Sequence, residues 1–249
     1  MILKVVILAA GKGKRMGSDL PKVLHRLSGK TLIEHVVQTA SPFDHEQQPI
    51  VVYGYQGEMV LSSLTHLNVI WVPQTEQLGT GHALKQTLSY LNNASHVLVL
   101  YGDIPLTSFN TLHEFIQNTP KDALGIITAF LPSPMGYGGR IIRDEQNKVI
   151  CVVEEKDATD SQLAIKEVNS GFYIIPTRYL SDWMASLQNT NAQQEYYLTD
   201  IIQRAALSNI PIATTHPQCY EEILGVNDQT QLENLEQFYQ RQYTKKMTV

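Results

Sequence analysis

The chain has 249 residues, 43% of them hydrophobic and 17% charged, and carries a formal net charge of −5. That length suits one large α/β domain whose core needs no disulfide or metal staple, and the acidic balance disfavours a general nucleic-acid binder. The two cysteines, Cys151 and Cys219, stand far apart with no CxxC or Cys/His spacing, so a disulfide framework and a structural zinc are not expected and a reducing compartment fits.

The elements follow in chain order. Leu3–Leu8 is a nearly continuous apolar, β-branched run and reads as a buried first strand. Lys4 before Val5–Ala10 imitates a secretory signal, but the run is too short and ends in Gly11-Lys12-Gly13-Lys14-Arg15. No stretch approaches a membrane span, so the expected location is the cytosol. Leu32–Ala40 has helical spacing, Pro49–Tyr53 reads as a strand and Gln56–Leu64 as a helix. Val69–Val72 is a strand, Gly79–Leu91 a helix, His96–Tyr101 a strand, 108–118 a helix and Leu124–Phe130 a strand. This βαβα order predicts a Rossmann-like α/β fold: a mostly parallel sheet with helices on both faces.

Beyond residue 130 the pattern changes. Arg140–Arg143 and Lys148–Val153 flank a turn at 144–147 and read as a hairpin. Glu167–Ile175 is a strand, Ser181–Leu187 and Leu198–Leu207 are helical, and Pro211–Thr214 is a short strand. Gln229–Gln242 is a helix with Leu232, Leu235, Phe238 and Tyr239 on one face. With no repeat and no linker, the expectation is one domain over 1–249, with a small substrate lobe inserted at about 130–220.

The most informative segment is Leu8-Ala9-Ala10-Gly11-Lys12-Gly13-Lys14-Arg15-Met16, followed by Leu20-Pro21-Lys22. It lies at the carboxyl end of the first strand, where open α/β sheets bind ligands. Gly11 and Gly13 let the backbone approach an anion. Lys12, Lys14, Arg15 and Lys22 gather positive charge in an otherwise acidic chain. A dinucleotide fingerprint needs glycine where Met16 stands. A Walker loop ending in Gly29-Lys30-Thr31 needs glycine where Leu24 stands. Two readings stay open on these residues alone: a solvated basic turn, and the longer nucleotidyltransferase pattern G-x-G-x-R-M with a downstream Pro-Lys.

That segment resembles the signature of the sugar-phosphate nucleotidyltransferases. Further stretches narrow the resemblance to the N-acetylglucosamine-1-phosphate uridylyltransferases, the N-terminal half of a bifunctional bacterial family. They include Leu20-Pro21-Lys22-Val23-Leu24-His25, Gln74-Thr75-Glu76-Gln77-Leu78-Gly79-Thr80-Gly81-His82-Ala83 and Leu100-Tyr101-Gly102-Asp103-Ile104-Pro105. They continue through Gly136-Tyr137-Gly138, Val153-Glu154-Glu155-Lys156, Asn169-Ser170-Gly171, Glu195-Tyr196-Tyr197-Leu198-Thr199-Asp200 and Gly225-Val226-Asn227. The resemblance runs in order over essentially the whole chain.

It implies a Mg2+-dependent reaction of UTP with N-acetylglucosamine 1-phosphate, giving UDP-N-acetylglucosamine and pyrophosphate. The nucleophile, a sugar-phosphate oxygen, is already largely ionised near neutral pH. No general base is needed, and catalysis rests on positioning and cations. Asp103, after an apolar strand and Gly102, is the best metal ligand from its position, though a cap before Pro105 is the alternative. The resemblance adds Asn227 as second ligand; capping the last helix is the competing role. Arg15 and Lys22 are the expected catalytic cations, a fork and a point charge respectively, while Lys14 is expected to be solvated.

The resemblance also places Leu8, Ala9, Ala10, Gly11, Gly13 and Tyr101 at the nucleotide, and Gln74, Gly79 and Thr80 at the uracil. An amide offers both a donor and an acceptor to a pyrimidine edge. Thr80 is also the candidate N-cap of its helix. Gly138, Glu154 and Asn169 map to the sugar. The chain departs from the family at Gly138-Gly139-Arg140, where one glycine usually precedes arginine. The family's C-terminal β-helix does not follow Val249, so a monomer is slightly favoured. The eight histidines fall singly, without zinc-ligand spacing. Another sugar phosphate or nucleotide, or a non-catalytic nucleotide-sugar binder, are the competing functions.

Overall fold

The computed structural model describes residues 1–133 and 138–247, without the side chains of Lys14 and 243–247. The strands are β1 (Leu3–Leu8), β2 (Arg26–Leu27), β3 (Lys30–Thr31), β4 (Ile50–Tyr53), β5 (Ile70–Pro73), β6 (His96–Tyr101), β7 (Leu124–Phe130), β8 (Arg140–Arg143), β9 (Val149–Val153), β10 (Glu167–Pro176) and β11 (Ile212–Thr215). The helices are α1 (Leu32–Ala40), α2 (Gly57–Ser63), α3 (Thr80–Lys85), α4 (Phe109–Asn118), α5 (Asp160–Leu163), α6 (Thr177–Ser186), α7 (Asp200–Leu207) and α8 (Gln229–Met247).

The main sheet runs β11-β7-β10-β6-β1-β4-β5. β1 pairs in parallel with β4 and β6, and β4 with β5. β10 is antiparallel and is inserted between β6 and β7. The expected lobe at 130–220 is therefore interleaved with the sheet. β10 and β11 belong to it, and the β8–β9 hairpin joins through the β8–β10 pairing.

Two apolar layers follow from the two-residue period of a strand. Leu3, Val5 and Ile7 pack with α1 and α4 residues such as Ile33, Val37 and Phe115. Val6 and Leu8 point the other way, to Leu84 of α3, Trp183 of α6 and Ile201 of α7. Lys4 breaks this apolar run and is only 1% exposed. Its ammonium is held by Asp44 at 3.3 Å, Glu46 at 2.6 Å and the Gln48 carbonyl at 3.0 Å. A third cluster joins Met16, Leu27 and Leu32 to Val226, Leu232 and Leu235, fastening α8 beside the glycine loop.

Helix ends follow local chemistry. Thr31 and Glu34 form a reciprocal capping box that starts α1 at Leu32. The helix expected over Gly79–Leu91 stops at Lys85 and resumes as a 3₁₀ turn at Leu88–Tyr90. At the break, buried Thr87 bonds the Leu84 carbonyl through its hydroxyl at 2.8 Å and its N–H at 3.0 Å, drawing the chain out of α-helical register. Thr80 is not the cap: Gly79 holds the N-cap position, and the Thr80 hydroxyl instead accepts the Leu198 N–H at 3.1 Å.

Candidate active site

Two adjoining cavities open at the carboxyl ends of β1 and β6. The first, about 580 Å³, is lined by Leu8, Ala9, Ala10 and Gly11 at the end of β1, and by Gln74, Gly79 and Thr80 across from them. The second, about 260 Å³, is lined by Gly138, Glu154, Asn169 and Thr199. Both are walled by Thr80, Tyr101, Asp103, Glu195 and Asn227.

The shared wall carries the charge. Lys22 donates to Asp103 and also to the Asn227 side-chain oxygen at 3.2 Å. The parts come from three places that the fold joins. Lys22 follows Pro21, and its neighbours Val23 and Leu24 are buried anchors. Asp103 leaves β6, where its backbone carbonyl receives the Val226 N–H at 2.9 Å. Asp228 takes the capping role considered for Asn227, accepting the Gln231 N–H at 2.8 Å at the start of α8. Asn227 is thus free to face Asp103. Two oxygens that converge on an ammonium form a cation position, and the hard donors Asp103 and Asn227 fit Mg2+.

Gly13 has a left-handed backbone, and a Cβ there would lie 2.7 Å from Lys22 Cβ. The glycine thus keeps the loop folded against Lys22 and does not line either cavity. Arg15 is exposed and lines neither cavity, so the structure does not bring it to Lys22 and Asp103. Lys12 is exposed but borders the larger cavity.

In the larger cavity, Gly79 is required by contact with the chain as well as by its left-handed φ. A Cβ would meet the Tyr196 carbonyl oxygen at 2.7 Å. The Gln74 side chain is 3% exposed, and its nitrogen donates to the Gly79 carbonyl at 3.0 Å. Gln77, Val23 and Ala83 also line this space; in the sequence they stood only inside the quoted stretches, with no role of their own. Burial raises the Tyr101 hydroxyl well above its ordinary pKa, with a hydrogen bond from Thr80 partly opposing the shift.

In the smaller cavity the β10 bulge does the positioning. Asn169 accepts the Gly171 N–H at 2.9 Å and donates to the Tyr173 hydroxyl at 2.7 Å. Both glycines at 138–139 have a structural reason. Gly138 is left-handed, with a Cβ position 2.6 Å from the Asn169 carbonyl, and a Cβ on Gly139 would strike Val152 at 2.5 Å. Gly136 and Tyr137 lie outside the described residues.

Carboxylates crowd this side. Burial raises the pKa of Glu154, and the charges of Asp157, Asp200 and Glu195 raise it further, against a 2.9 Å hydrogen bond from Thr199. Burial also raises Glu195 and Asp200. Tyr197 donates to Asp157 at 3.0 Å, and burial pushes its hydroxyl up to about 12. Glu195, Tyr197 and Thr199 border the cavity yet were legible only as parts of a motif.

A mostly parallel sheet with a glycine loop at one strand end and a cation position at the next is the arrangement of a nucleotidyltransferase domain. The family model for the MobA-like NTP transferase domain matches residues 5–144, and the chain belongs to that family. Among curated proteins, the chain is 51% identical over 238 residues to the bifunctional protein GlmU of Dechloromonas aromatica, spanning 96% of this chain and 52% of that one. It is 45% identical over 249 residues to GlmU of Coxiella burnetii, spanning 100% of this chain and 54% of that one. The chain thus spans about half the length of these relatives and fits their N-terminal nucleotidyltransferase half.

Solved structures share the fold at low identity. A nucleotidyl transferase from Methanothermobacter thermautotroptrophicus has a TM-score of 0.68 at 17% identity, covering 97% of this chain and 99% of that one. A UDP-glucose pyrophosphorylase complexed with UDP-glucose has a TM-score of 0.74 at 16% identity, covering 97% of this chain and 100% of that one. No described helix is long and apolar enough to cross a membrane.

Proposed function

We propose that the protein transfers UMP from UTP to N-acetylglucosamine 1-phosphate, releasing pyrophosphate. The observation that carries this reading is the pair of adjoining cavities that share a wall at Lys22's partners, Asp103 and Asn227. The larger takes the nucleotide against Ala10, Gly11 and Gln74, and the smaller takes the sugar against Gly138, Glu154 and Asn169. The α-phosphorus and the sugar phosphate then meet at the shared wall, in line for displacement.

The attacking oxygen arrives ionised, so none of the crowded carboxylates has to remove a proton. Asp103 and Asn227 would hold Mg2+, which when bound neutralises charge where attacking and leaving oxygens crowd together. The Lys22 ammonium is a point charge beside the same position and is within reach of the phosphates. The carboxylate of Glu154 and the backbone carbonyls of Gly138 and Asn169 offer acceptors for sugar hydroxyls and an N-acetyl N–H.

The test is pyrophosphate release by purified protein with UTP, N-acetylglucosamine 1-phosphate and Mg2+, run beside CTP, GTP and dTTP and beside other sugar 1-phosphates. Release confined to UTP with the N-acetylamino sugar supports the reading. Release with a different pair reassigns the substrates within the same chemistry. Nucleotide-sugar binding without turnover would make the protein a binder.

A further inference from the structure

Two stretches meet behind the cation position. Residues 103–108 connect β6 to α4, and residues 222–227 lead from a 3₁₀ turn at Tyr220–Ile223 toward α8. They run antiparallel. The Val226 N–H donates to the Asp103 carbonyl at 2.9 Å. Farther along, the Thr107 hydroxyl donates to the Glu222 carbonyl at 2.7 Å, and the Ser108 N–H donates to the Glu222 carboxylate at 2.9 Å. The direction of every contact is fixed, because a backbone N–H only donates and a carbonyl only accepts. The two stretches are thus clamped at both ends, one beside Asp103 and Asn227 and the other at Glu222.

Glu222 is 6% exposed, lines neither cavity and has no part in the transfer chemistry. Its carboxylate stands at the N-terminus of α4. Ser108 caps that helix, its hydroxyl accepting the Thr111 N–H at 3.1 Å. In a capping box, a glutamate three residues on takes the N–H of the cap itself. Thr111 stands there, and Glu222 takes that N–H from a distant part of the chain. Its negative charge also suits a helix N-terminus. Between the clamped ends, Gly225 lies alongside both oxygen donors: a Cβ on it would stand 3.5 Å from Asp103 Oδ2 and 3.9 Å from the Asn227 amide nitrogen. The Asn227 N–H then donates to the Gln231 side chain at 2.7 Å, which joins the stretch to α8.

We propose that Glu222 is a positioning residue for the cation position. Tied to Ser108, it holds the stretch that carries Asn227 against the stretch that carries Asp103, and so sets the spacing of the two oxygens offered to a divalent cation. Mg2+ demands near-ideal geometry from few protein ligands, so a small loss of register between the stretches weakens it. Glu222 acts only through the backbone and does not touch the ion. This inference rests on the metal assignment in the functional reading above.

The experiment reads metal binding directly, with Mn2+ alone titrated into nucleotide-free protein and followed by its paramagnetic resonance. Asp103→Asn defines the signal that belongs to this site. Glu222→Ala, Glu222→Gln and Ser108→Ala are compared with the wild type, each with a thermal melt. We expect Glu222→Ala to weaken Mn2+ about tenfold, the scale of residues that support metal ligands. Glu222→Gln keeps an oxygen for the Ser108 N–H and should recover most of the affinity. Ser108→Ala removes the hydroxyl cap of α4 but keeps the N–H that meets Glu222, so it should melt lower with Mn2+ affinity unchanged. Wild-type affinity in a folded Glu222→Ala protein overturns the inference, as does an equal weakening in Ser108→Ala, which would make Glu222 a helix stabiliser only. Should Glu222→Ala not fold, Glu222→Asp takes its place: the charge stays, the shorter side chain falls short of Ser108, and unaltered Mn2+ affinity overturns the inference. A wild type without Asp103-dependent Mn2+ binding sinks the metal assignment itself, a failure distinct from that of Glu222.

Discussion

The two adjoining cavities, the larger proposed as the nucleotide half of the site and the smaller as its sugar half, are built differently. The nucleotide half is mostly backbone: successive residues at the end of β1, with Gly13 folded against Lys22 and Gly79 against Tyr196. The sugar half is mostly side chain: Glu154, Asn169 and Thr199 project from a bulged antiparallel strand, a hairpin end and a loop, and several of its carboxylates are held above their ordinary pKa. Backbone recognition suits an anion, which asks only for N–H groups and cations. A sugar asks for directional acceptors, and those require buried polar groups that cost stability in the ligand-free protein. Each half can be broken separately, and their shared wall should be more sensitive than either.

The largest loss is expected at the wall itself. Asp103→Asn removes the charged donor to the cation position, and turnover should fall by about 10³-fold or more, the scale of a few kcal/mol of transition-state charge. Chelation by EDTA should abolish the remaining pyrophosphate release. An Asp103→Asn protein with wild-type turnover would remove the metal site from the mechanism.

Next comes Lys22→Ala, expected to fold normally and lose about 10²- to 10³-fold in kcat, as for one electrostatic stabiliser. Lys22→Arg should recover only part, since a planar fork does not match an ammonium. The ion pair with Asp103 sharpens this test. If Lys22 only balanced Asp103, its removal would alter the melting temperature and leave turnover within a few-fold. Steady-state kinetics alongside a melt separate the two roles.

How much of this was legible follows the same division. The apolar runs set β1, β6, β7 and α1 on their observed bounds, because strands buried on both faces and a helix opened by Thr31 and Glu34 declare themselves locally. The antiparallel position of β10 between β6 and β7 was not legible, since a strand buried on both faces has no pattern that encodes its neighbours or direction. On the nucleotide side, Gly11, Lys22 and Asp103 were readable from strand-end position and charge. On the sugar side, Glu154 and Asn169 were reached only through resemblance. Glu195, Tyr197 and Thr199 become recognisable only once the chain from β10 to α7 folds over the cavity. Arg15 carried the same sequence signal as Lys22, yet it stands exposed outside the cavities, because Met16 beside it is the residue that packs inward.

Within the sugar half, Gly138→Ala should act on one substrate only. The new Cβ would sit 2.6 Å from the Asn169 carbonyl and would impose a left-handed backbone on alanine. The KM for the sugar phosphate should rise about tenfold, on the order of 1.4 kcal/mol, while the KM for UTP stays within about twofold. Equal changes in both constants would show that the halves are coupled through this loop.

The smallest effect is a stability change at Glu154, opposite in sign to the usual loss on mutation. In the unfolded chain this carboxyl ionises in the ordinary range. In the folded protein burial, with Asp157, Asp200 and Glu195 nearby, holds its proton to higher pH. Between those two values the folded state binds more protons than the unfolded state, so stability falls as pH rises through the interval, and the cost is complete above the folded value. Glu154→Gln removes that cost and keeps an oxygen to accept from Thr199, whose hydroxyl lies 2.9 Å from the carboxylate. The variant should therefore melt above the wild type at pH 7.5, and the gap should close as pH falls toward about 4, where the carboxyl is protonated in both states. The same substitution should weaken the sugar phosphate and leave UTP binding unchanged, because in the proposed reading the carboxylate accepts from the bound sugar and does not touch the nucleotide. Melting curves of the two proteins across pH 4–8 decide it: parallel curves with no gap at pH 7.5 would show Glu154 solvated like any surface carboxylate, and the contrast between a backbone-built and a side-chain-built half would lose its energetic basis.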